Sequence, residues 1–324
     1  MSEPLRWGVV STARINELVL AGARTSDHVE VLAVASRERA TAEAYAREHG
    51  IERAYGSYQA LLADPEVEAV YISLPNALHV EWAIRALEAG KHVLCEKPLS
   101  RRADDAARAF DVAEGCGRLL MEAFMYRHNP QTARLVELVA EGAIGRLRLV
   151  RASFGFYLDD LTNVRMRGEL EGGGLMDVGC YCVNAARLLC GEPVRAQAEL
   201  LLGGDGVDVA LAGVLGFADE VLAHFDCGLV LSSRDELVVL GEQGSLHLAD
   251  PWHCRTPGIE LRRPGGSELI KTPTVNSYAL ELENLSAAIR GTAAPLLGRE
   301  DALGQARAIE ALYASAREHR TVTL

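Results

Sequence analysis

Apolar, strand-like runs alternate with helical segments over the first 120 residues, and this alternation limits the possible folds. The clearest runs are Arg6–Val10, Val29–Ala35, Ala69–Leu74 and Val93–Cys95. Between the last two, residues 80–87 place apolar side chains at the i, i+3, i+4, i+7 spacing of an amphipathic helix. Strands separated by helices of this length are parallel and joined by right-handed crossovers. The pattern therefore predicts a doubly wound α/β sheet, a layout that binds nucleotides.

The pattern changes after about Phe124, where strand-like runs follow one another without helices between them. Such a sheet is largely antiparallel. We expect an N-terminal Rossmann domain with a parallel sheet over residues 1–123, and a C-terminal α+β domain with a large, open, mostly antiparallel sheet over residues 124–324. Helices predicted at Met176–Cys190 and Tyr278–Arg290 are candidates to cover one face of that sheet. The C-terminal helix is a candidate to pack back on the first domain.

The composition argues against several classes of protein. A net charge of −12 disfavours nucleic acid as a main partner, because binding to phosphates needs a positive surface. Seven cysteines, an odd number without C-x-x-C spacing, indicate reduced thiols. No apolar run approaches the ~20 residues that span a bilayer, and Met1–Trp7 lack the pattern of a secretory signal. We therefore expect a cytoplasmic protein, and no histidine–carboxylate spacing suggests a metal site.

The turn after the first strand is a glycine-poor version of a dinucleotide-binding turn. Such a turn reads G-x-G-x-x-G, whereas here Ser11 and Ala13 stand for the second and third glycines. Ser11 can offer its backbone N–H and hydroxyl to a phosphate at a helix N-terminus. The same residues also fit an ordinary strand-to-helix turn with Ser11 or Thr12 as the N-cap. The candidate cofactor-binding residues of this turn are Gly8, Ser11, Thr12, Ala13, Arg14 and Ile15.

Ser36 and Arg37 stand at the end of the second strand, where an acidic residue would bind the ribose 2′-hydroxyl of NAD. Ser36 can donate to a phosphate, and Arg37 carries a fixed charge suited to one. The pair therefore favours NADP over NAD. A solvated surface arginine is the alternative explanation for Arg37.

A short apolar strand ends in Glu96, Lys97 and Pro98. The carboxyl end of such a strand is where an open α/β sheet places groups that contact ligands. A carboxylate there can hold ribose or sugar hydroxyls, and a lysine can polarise a carbonyl or help to move a proton. Lys97 can also be an ordinary surface turn residue.

Together these residues resemble the Gfo/Idh/MocA oxidoreductases, and within them the branch of dihydrodiol and NADP-dependent aldose (xylose) dehydrogenases. The resemblance spans nearly the whole chain and is most specific in the E-K-P and G-G-G-x-x-x-D-x-G-x-Y elements. The matching segments are Trp7–Ile15, Leu74–Asn76 with His79, Glu96–Pro98, Met121–Arg127, Gly172–Tyr181 and the helix Tyr278–Arg290.

The resemblance implies a Rossmann domain joined to an open-sheet domain, with nicotinamide bound in a cleft. It places Asn76 and Glu96 near the ribose and suggests a strained or cis bond at Lys97–Pro98. Further candidate cofactor contacts are Leu74, Pro75, His79, Lys97 and Arg165. His79 can instead be a first-turn residue of its helix, and Arg165 can equally be a solvated loop residue or a contact to sugar hydroxyls.

Three side chains are candidates for the chemistry. Oxidising an alcohol needs a hydride acceptor and a base; the pKa of free tyrosine is about 10, and a neighbouring ammonium favours the phenolate. We predict that Lys97 and Tyr181 meet over the nicotinamide, with Tyr181 carrying the proton. Asp177, four residues before Tyr181 on the same helical face, is placed to bind a substrate hydroxyl or to orient Lys97. Which of the three is the ultimate base is left open.

We therefore expect an enzyme that transfers hydride between NADP, or less favourably NAD, and the hydroxyl-bearing carbon of a small polyhydroxylated substrate: a sugar, polyol or diol. One alternative is a nucleotide-sugar 3-ketoreductase, and another is a non-catalytic NAD(P)-binding regulator. A one-sided antiparallel sheet leaves a face to cover, so we also expect a homodimer or a higher homo-oligomer.

Overall fold

The computed structural model describes residues 3–324, which form two compact units with one β-sheet each. The N-terminal part of the chain builds most of the first unit, and a later segment returns to it. The first unit comprises residues up to 100, 104–125 and 276–303; the second comprises residues 101–103, 126–275 and 304–324.

The first unit contains a parallel sheet of six strands within the described chain. They are β1 (Leu5–Val10), β2 (Val29–Ala35), β3 (Arg53–Tyr55), β4 (Ala69–Ile72), β5 (His92–Glu96) and β6 (Leu120–Ala123). Their order is β3-β2-β1-β4-β5-β6, so the order reverses at β1, and a crevice is expected beyond its carboxyl end. Every residue of β4 is buried, as expected for a strand covered on both faces. The predicted doubly wound sheet is confirmed.

Helices link these strands. They are α1 (Asn16–Ala23), α2 (Arg39–His49), α3 (Tyr58–Leu62), α4 (His79–Glu88) and α5 (Ala103–Gly115). Gly90 follows the end of α4 with a φ of +79°, the left-handed conformation typical of a glycine after a helix. The elements β3 and α3 span only three and five residues, too few to show a period in the sequence.

The second unit contains a nine-stranded sheet, counted over residues 3–324. Its strands are β7 (Leu147–Tyr157), β8 (Arg195–Leu202), β9 (Asp208–Gly216), β10 (Leu222–Gly228), β11 (Val230–Gly241), β12 (Ser245–Leu248), β13 (Ile259–Arg263), β14 (Gly266–Ile270) and β15 (Val322–Thr323). The order is β14-β13-β12-β11-β7-β10-β9-β8-β15. Strands β7 and β10 pair in parallel, and the other neighbouring strands of this sheet pair antiparallel. The predicted large, mostly antiparallel sheet is confirmed.

One face of this sheet is covered by helices. The remaining helices are α6 (Pro130–Ala140), α7 (Cys180–Cys190), α8 (Ser277–Ile289) and α9 (Arg299–Glu318), and a single π turn, Leu175–Gly179, leads into α7. The π turn and α7 pack on β7 and β10, as predicted for this helix. The later part of α9 packs there too, because Ser315 accepts a hydrogen bond from the Ala198 N–H of β8 at 3.1 Å.

The prediction that α8 covers the second sheet is wrong. This helix belongs to the first unit, where it packs mainly on α1. Gly22 of α1 permits the close approach, because a Cβ at this position would lie 2.7 Å from the Ala279 nitrogen. Trp7 of β1 adds a hydrogen bond from its indole N–H to the Ser286 hydroxyl at 3.3 Å. The first unit is thus completed by a segment that follows most of the second.

The other face of the nine-stranded sheet is exposed. Side chains alternate between buried and exposed along β8 and β10, as in a sheet packed on one side only. Apolar residues lie among the exposed ones: Leu201, Val214 and Leu222 expose 65%, 43% and 40% of their surfaces. In the described chain no helix has both the length and the apolar character to cross a membrane, and the seven cysteines are free thiols.

His92 couples the stability of the first unit to pH. Its Nδ1 accepts a hydrogen bond from the Leu119 N–H at 3.0 Å, which requires that nitrogen to be unprotonated. Burial, reinforced by the nearby Arg118 guanidinium, lowers the pKa of His92 to about 4. An unfolded chain titrates its histidines near 6.5, so it binds more protons than the folded chain between these values. Stability conferred by neutral His92 is therefore present above about pH 6.5 and lost as the pH falls toward 4.

We expect His92→Asn to flatten this acid loss, because the asparagine oxygen can accept the Leu119 N–H and does not titrate. The free energy of unfolding, measured by urea denaturation at several pH values from 7 down to 4.5, should fall less steeply for the variant than for the unchanged protein. His28→Asn, at an exposed position, is the control. Parallel pH dependences for His92→Asn and the unchanged protein would contradict this account.

Candidate active site

The turn after β1 holds a serine in a conformation that usually requires glycine. Ser11 is buried and has a φ of +131°. Its hydroxyl lies 2.8 Å from the Ser73 hydroxyl and accepts a hydrogen bond from the Ala13 N–H at 3.1 Å. Asn16 donates to the Ser11 carbonyl oxygen at 2.9 Å and accepts from the Ser73 hydroxyl at 2.6 Å. The Ser11 hydroxyl therefore has partners within the protein, and its contact with a phosphate stays a prediction.

The rest of the turn is accessible at the carboxyl end of β1. Residues 12–15 are partly or fully exposed. Helix α1 begins at Asn16 with Ile15 as its N-cap and no side-chain cap bond. The alternative in which Ser11 or Thr12 caps the helix is therefore not what the structure contains. The Thr12 hydroxyl, the Arg14 side chain and backbone N–H groups other than that of Ala13 are left as the groups that can meet an anion here.

Gly8 has a packing role. It lies within β1, and a Cβ at this position would come 2.7 Å from Leu61 Cδ2. The glycine therefore lets α3 pack directly against β1. Its contact with the cofactor stays a prediction.

Ser36 and Arg37 directly follow β2, the neighbour of β1 in the sheet. The Ser36 N–H donates to the Tyr55 carbonyl oxygen at 3.0 Å, which ties the ends of β2 and β3 together. Ser36 is partly exposed, and Arg37 is exposed. A guanidinium stays charged at any physiological pH, so this edge of the sheet carries a fixed positive charge beside the β1 turn.

His79 links two of the sequence motifs. It is buried, and its ring nitrogens lie 2.7 Å from the Leu74 carbonyl oxygen and 2.9 Å from the Pro98 carbonyl oxygen. Burial lowers the pKa of His79, although both backbone carbonyls oppose that shift. The ring therefore fixes the end of β4 relative to the end of β5. His79 therefore has a positioning role, and its own contact with the cofactor stays a prediction. Pro75 and Asn76 are partly exposed in the turn that it braces.

Glu96 and Lys97 end β5 at the same edge of the sheet, and the Lys97–Pro98 peptide bond is cis, as the resemblance suggested. The Tyr71 hydroxyl donates to Glu96 Oε1 at 2.5 Å and so fixes the carboxylate. Glu281 of α8 is fully buried, and burial together with Glu96 raises the pKa of Glu281 well above its usual range. Burial therefore favours the neutral form of Glu281 at this position next to the strand end.

Arg165 and Asp177 form an ion pair in the second unit. Arg165 Nε lies 2.7 Å from Asp177 Oδ2, and the Asp177 side chain is mostly buried. The Asn163 side chain accepts from the Arg165 N–H at 3.1 Å and so orders the loop. Sequence reasoning treats Arg165 and Asp177 as separate candidates, and the structure joins them.

Tyr181 lies in the first turn of α7, 7% exposed, within a group of aromatic rings. Its ring centroid is 5.4 Å from that of Phe154, 5.8 Å from Tyr126 and 5.9 Å from Trp252. Such rings hold a phenol in one orientation and form an apolar wall around it. Phe154 and Trp252 lie far apart in the chain from Tyr181, and no spacing in the sequence connects them.

The prediction that Asp177 and Tyr181 share an α-helical face needs correction. Asp177 lies in the π turn, where the Cys180 N–H reaches back five residues to the Leu175 carbonyl oxygen. A π turn is wider than an α turn, so the i, i+4 rule does not apply across it. Single π turns in helices are frequent at functional sites.

The candidate residues thus fall into two groups. The residues at the carboxyl ends of β1, β2, β4 and β5 share one edge of the first unit, and Arg165, Asp177 and Tyr181 belong to the second. The meeting of Lys97 and Tyr181 stays a prediction. The sequence analysis does not identify three residues that hold this edge in place: Asn16, Ser73 and Tyr71. A polar residue at the start of a helix or within a strand gives no indication of its hydrogen-bond partner.

One group in the described chain has the geometry to hold a metal ion. Ligand atoms of Asp235, Asp250 and His253 lie within 4.8 Å of one another. Other contacts engage them: His253 pairs with Asp235 at 3.0 Å, and Asp250 accepts the Arg255 and Thr256 N–H groups. We assign no metal to it.

Comparisons with known proteins match both parts of the chain. The oxidoreductase family GFO_IDH_MocA, with an NAD-binding Rossmann fold, matches residues 5–124, and the GFO/IDH/MocA C-terminal domain matches residues 132–247. The chain is 39% identical over 327 residues to the D-xylose 1-dehydrogenase (NADP(+)) 2 of Haloferax volcanii, covering 99% of this chain and 100% of that protein.

Two solved structures are similar over nearly the full length. The aldose-aldose oxidoreductase of Caulobacter crescentus, complexed with glycerol, superposes with a TM-score of 0.91 at 28% identity, covering 99% of this chain and 100% of that one. A 3-ketoreductase of Actinomadura kijaniata, in complex with NADP and TDP-benzene, also gives a TM-score of 0.91, at 32% identity and with 96% and 98% of the two chains covered.

The hydrogen bonds of Ser11 predict opposite results for two substitutions. Ser11→Ala keeps a Cβ in the left-handed region but loses the hydroxyl that holds it there, so we expect NADP binding to weaken about tenfold, the equivalent of ~1.4 kcal/mol. Ser11→Gly removes the strain, so we expect binding within about twofold of the unchanged protein. Dissociation constants from fluorescence titration check both.

Thr25→Ala is the control, because it removes a hydroxyl that donates to the Gly22 carbonyl oxygen at 2.7 Å, at the other end of α1. Equal weakening by Ser11→Ala and Ser11→Gly would show that strain at this position does not govern the turn.

Proposed function

Because the chain belongs to the Gfo/Idh/MocA family of oxidoreductases, we propose that it transfers hydride between NADP and the hydroxyl-bearing carbon of a sugar, polyol or diol. The observation that carries the proposal is that the E-K-P end of β5 and the turn after β1 share the edge where a doubly wound sheet binds its ligand. The resemblance drawn from the sequence motifs is confirmed at the level of the family.

The residues at this edge fit a phosphorylated dinucleotide. The turn at residues 12–15 offers exposed backbone donors at the start of α1, where an anion is favoured. Arg37 and Arg14 add fixed positive charge, and no acid stands at the tip of β2 to repel a 2′-phosphate. The NADP named for the xylose dehydrogenase and bound in the 3-ketoreductase agrees with this choice. NAD remains the less favoured cofactor.

We propose roles for the reacting side chains from their contacts. A nicotinamide cofactor held at this edge would supply the hydride donor or acceptor. Tyr181, with its ring held by aromatic neighbours, moves the proton of the substrate hydroxyl, and the Lys97 ammonium stabilises the phenolate and polarises the oxygen. Asp177, whose carboxylate is already engaged by Arg165, orients substrate hydroxyls rather than serving as the base.

The two family matches cover different parts of the chain, and we assign a role to each part. We propose that residues 1–123 bind the cofactor and residues 124–324 bind the substrate and form contacts between subunits. A cytoplasmic location is part of the same proposal.

A nucleotide-sugar 3-ketoreductase is the second candidate. The 3-ketoreductase of A. kijaniata is similar to this chain over nearly its whole length, which favours it. The higher identity and full coverage of the D-xylose dehydrogenase favour a free sugar. An absorbance screen at 340 nm over aldoses, polyols, diols and dTDP-ketosugars separates the two, since reduction of NADP by a free sugar or diol supports the first candidate.

We expect Tyr181→Phe and Lys97→Ala to lower kcat by about 10²–10⁴, the usual cost of losing a general acid–base group. Their NADP dissociation constants should stay within about threefold, because both substitutions leave the proposed phosphate contacts at the β1 turn intact. Tyr157→Phe and Lys271→Ala change the same residue types at exposed positions and should leave kcat unchanged. Full activity in either Tyr181→Phe or Lys97→Ala would remove that residue from the mechanism.

We propose that the exposed face of the nine-stranded sheet binds a second copy of the chain, because Val214 and Leu222 lie exposed there. Size-exclusion chromatography with light scattering should give a dimer or a larger oligomer at micromolar concentration. Val214→Glu combined with Leu222→Glu should shift it toward monomer, because two buried charges per subunit are costly to desolvate. Leu161→Glu, at an exposed loop position, is the control. A monomeric parent protein would refute this assembly.

A further inference from the structure

The segment that leads into the Tyr181 helix is pressed between two parts of the second unit. On one side, a Cβ at Gly172 would lie 2.3 Å from the Arg165 carbonyl oxygen. On the other, a Cβ at Gly173 would lie 2.1 Å from Asp208 Oδ1, and Gly173 has a φ of +121°. Glycine is needed at both positions, because any side chain would displace either the Arg165 loop or the start of β9.

Asp208 supplies the helix cap that this glycine segment cannot provide. Gly174 is the N-cap residue of the π turn and has no side chain to accept a hydrogen bond. Asp208, 33 residues further along the chain, accepts the Leu175 N–H through Oδ2 at 2.6 Å. A carboxylate that accepts the first N–H groups of a helix stabilises that end. The first turn of the segment bearing Asp177 and Tyr181 is therefore fixed by a residue of β9.

Tyr313 of α9 holds the same carboxylate from the other side. Its hydroxyl donates to Asp208 Oδ1 at 2.7 Å, and the Arg101 guanidinium lies 4.4 Å from the centroid of its ring. Asp208 is only 3% exposed, and burial raises the pKa of its carboxyl, opposed by the Leu175 N–H, Tyr313 and Arg101. Both carboxylate oxygens thus have donors, as a buried acid requires.

The cap is connected to the candidate chemistry through the backbone. The Gly173 N–H donates to the Arg165 carbonyl oxygen at 2.9 Å, and the Asp177 N–H donates to the Gly173 carbonyl oxygen at 3.0 Å. Gly173 is therefore bonded to both members of the Arg165–Asp177 pair while it packs on Asp208. A shift of Asp208 would therefore move Gly173, to which both Arg165 and Asp177 are hydrogen-bonded.

We propose that Asp208 and Tyr313 are positioning residues that set the orientation of Asp177 and Tyr181. This inference rests on the proposed function for its catalytic consequence, because it concerns the residues proposed to handle the substrate and its proton. Neither Asp208 nor Tyr313 contacts the reacting atoms in this account. Each acts through the π turn.

The test compares four variants of the full-length protein. Asp208→Ala removes the cap, and Tyr313→Phe removes one donor to it. Asp208→Asn is the conservative variant, because its amide oxygen can accept the Leu175 N–H while its NH₂ group donates to the Tyr313 hydroxyl. Ser315→Ala is the matched control: Ser315 is a fully buried residue of α9 whose hydroxyl bonds to Ala198 and Arg320 instead.

Two readouts are measured on each folded variant. The first is kcat with the best substrate of the screen, together with the NADP dissociation constant. We expect a loss in kcat of about tenfold for Asp208→Ala and about threefold for Tyr313→Phe, with NADP affinity unchanged and Asp208→Asn close to the unchanged protein. The second readout is amide hydrogen exchange of peptides spanning residues 175–181, which should accelerate in Asp208→Ala and Tyr313→Phe and not in Ser315→Ala.

The second readout needs no substrate, so the two proposals fail separately. A parent protein without turnover on any substrate of the screen refutes the proposed function, whereas exchange that is unchanged by Asp208→Ala refutes the cap. Accelerated exchange with an unchanged kcat, or an equal loss of kcat in Ser315→Ala, also overturns the positioning role. If Asp208→Ala does not fold, Tyr313→Phe and Asp208→Asn decide by the same criteria.

Discussion

The common direction of β1, β2, β4 and β5 is the constraint on which the candidate cofactor site depends. Parallel strands end at the same edge of a sheet, so four loops that are distant in the chain become neighbours without any long-range polar contact. Two buried networks then give that edge a fixed shape. Ser11, Ser73 and Asn16 hold the first turn, and His79 braces the β4 end against Pro98. Hydrophobic periodicity assembles the edge, and buried polar groups refine it.

The sequence predicts this edge well because its information is local. Apolar runs, helical spacing and the E-K-P strand end each lie within a dozen residues, and they place Ser36, Arg37, Glu96 and Lys97 at strand ends where the structure has them. The roles of individual side chains were less predictable. In a sequence, a histidine in the first turn of a helix looks the same whether its ring contacts a ligand or two buried carbonyl oxygens. Only the fold shows that the His79 ring lies against two carbonyl oxygens.

Contacts between residues far apart in the chain were not predicted, because the sequence patterns carry only local information. The sequence pattern of α8 does not indicate its partner, and the structure packs it on α1, where Gly22 permits the close approach. Asp208 reads as the first residue of a strand, and nothing nearby indicates that it caps a turn 33 residues earlier. The glycine run Gly172–Gly174 is visible as a motif, but its reason, neighbouring groups that leave no room for a Cβ at Gly172 and Gly173, exists only in three dimensions.

The placement of α8 also orders the assembly of the molecule in time. The ribosome delivers the six strands of the first unit early, yet the helix that covers α1 emerges only after the whole nine-stranded sheet except β15 has been made. During that interval the partner surface of α1 is without its native cover and open to chaperones or to neighbouring chains. A nascent chain interrupted before residue 276 therefore lacks part of both units, although all six strands of the first unit have been made.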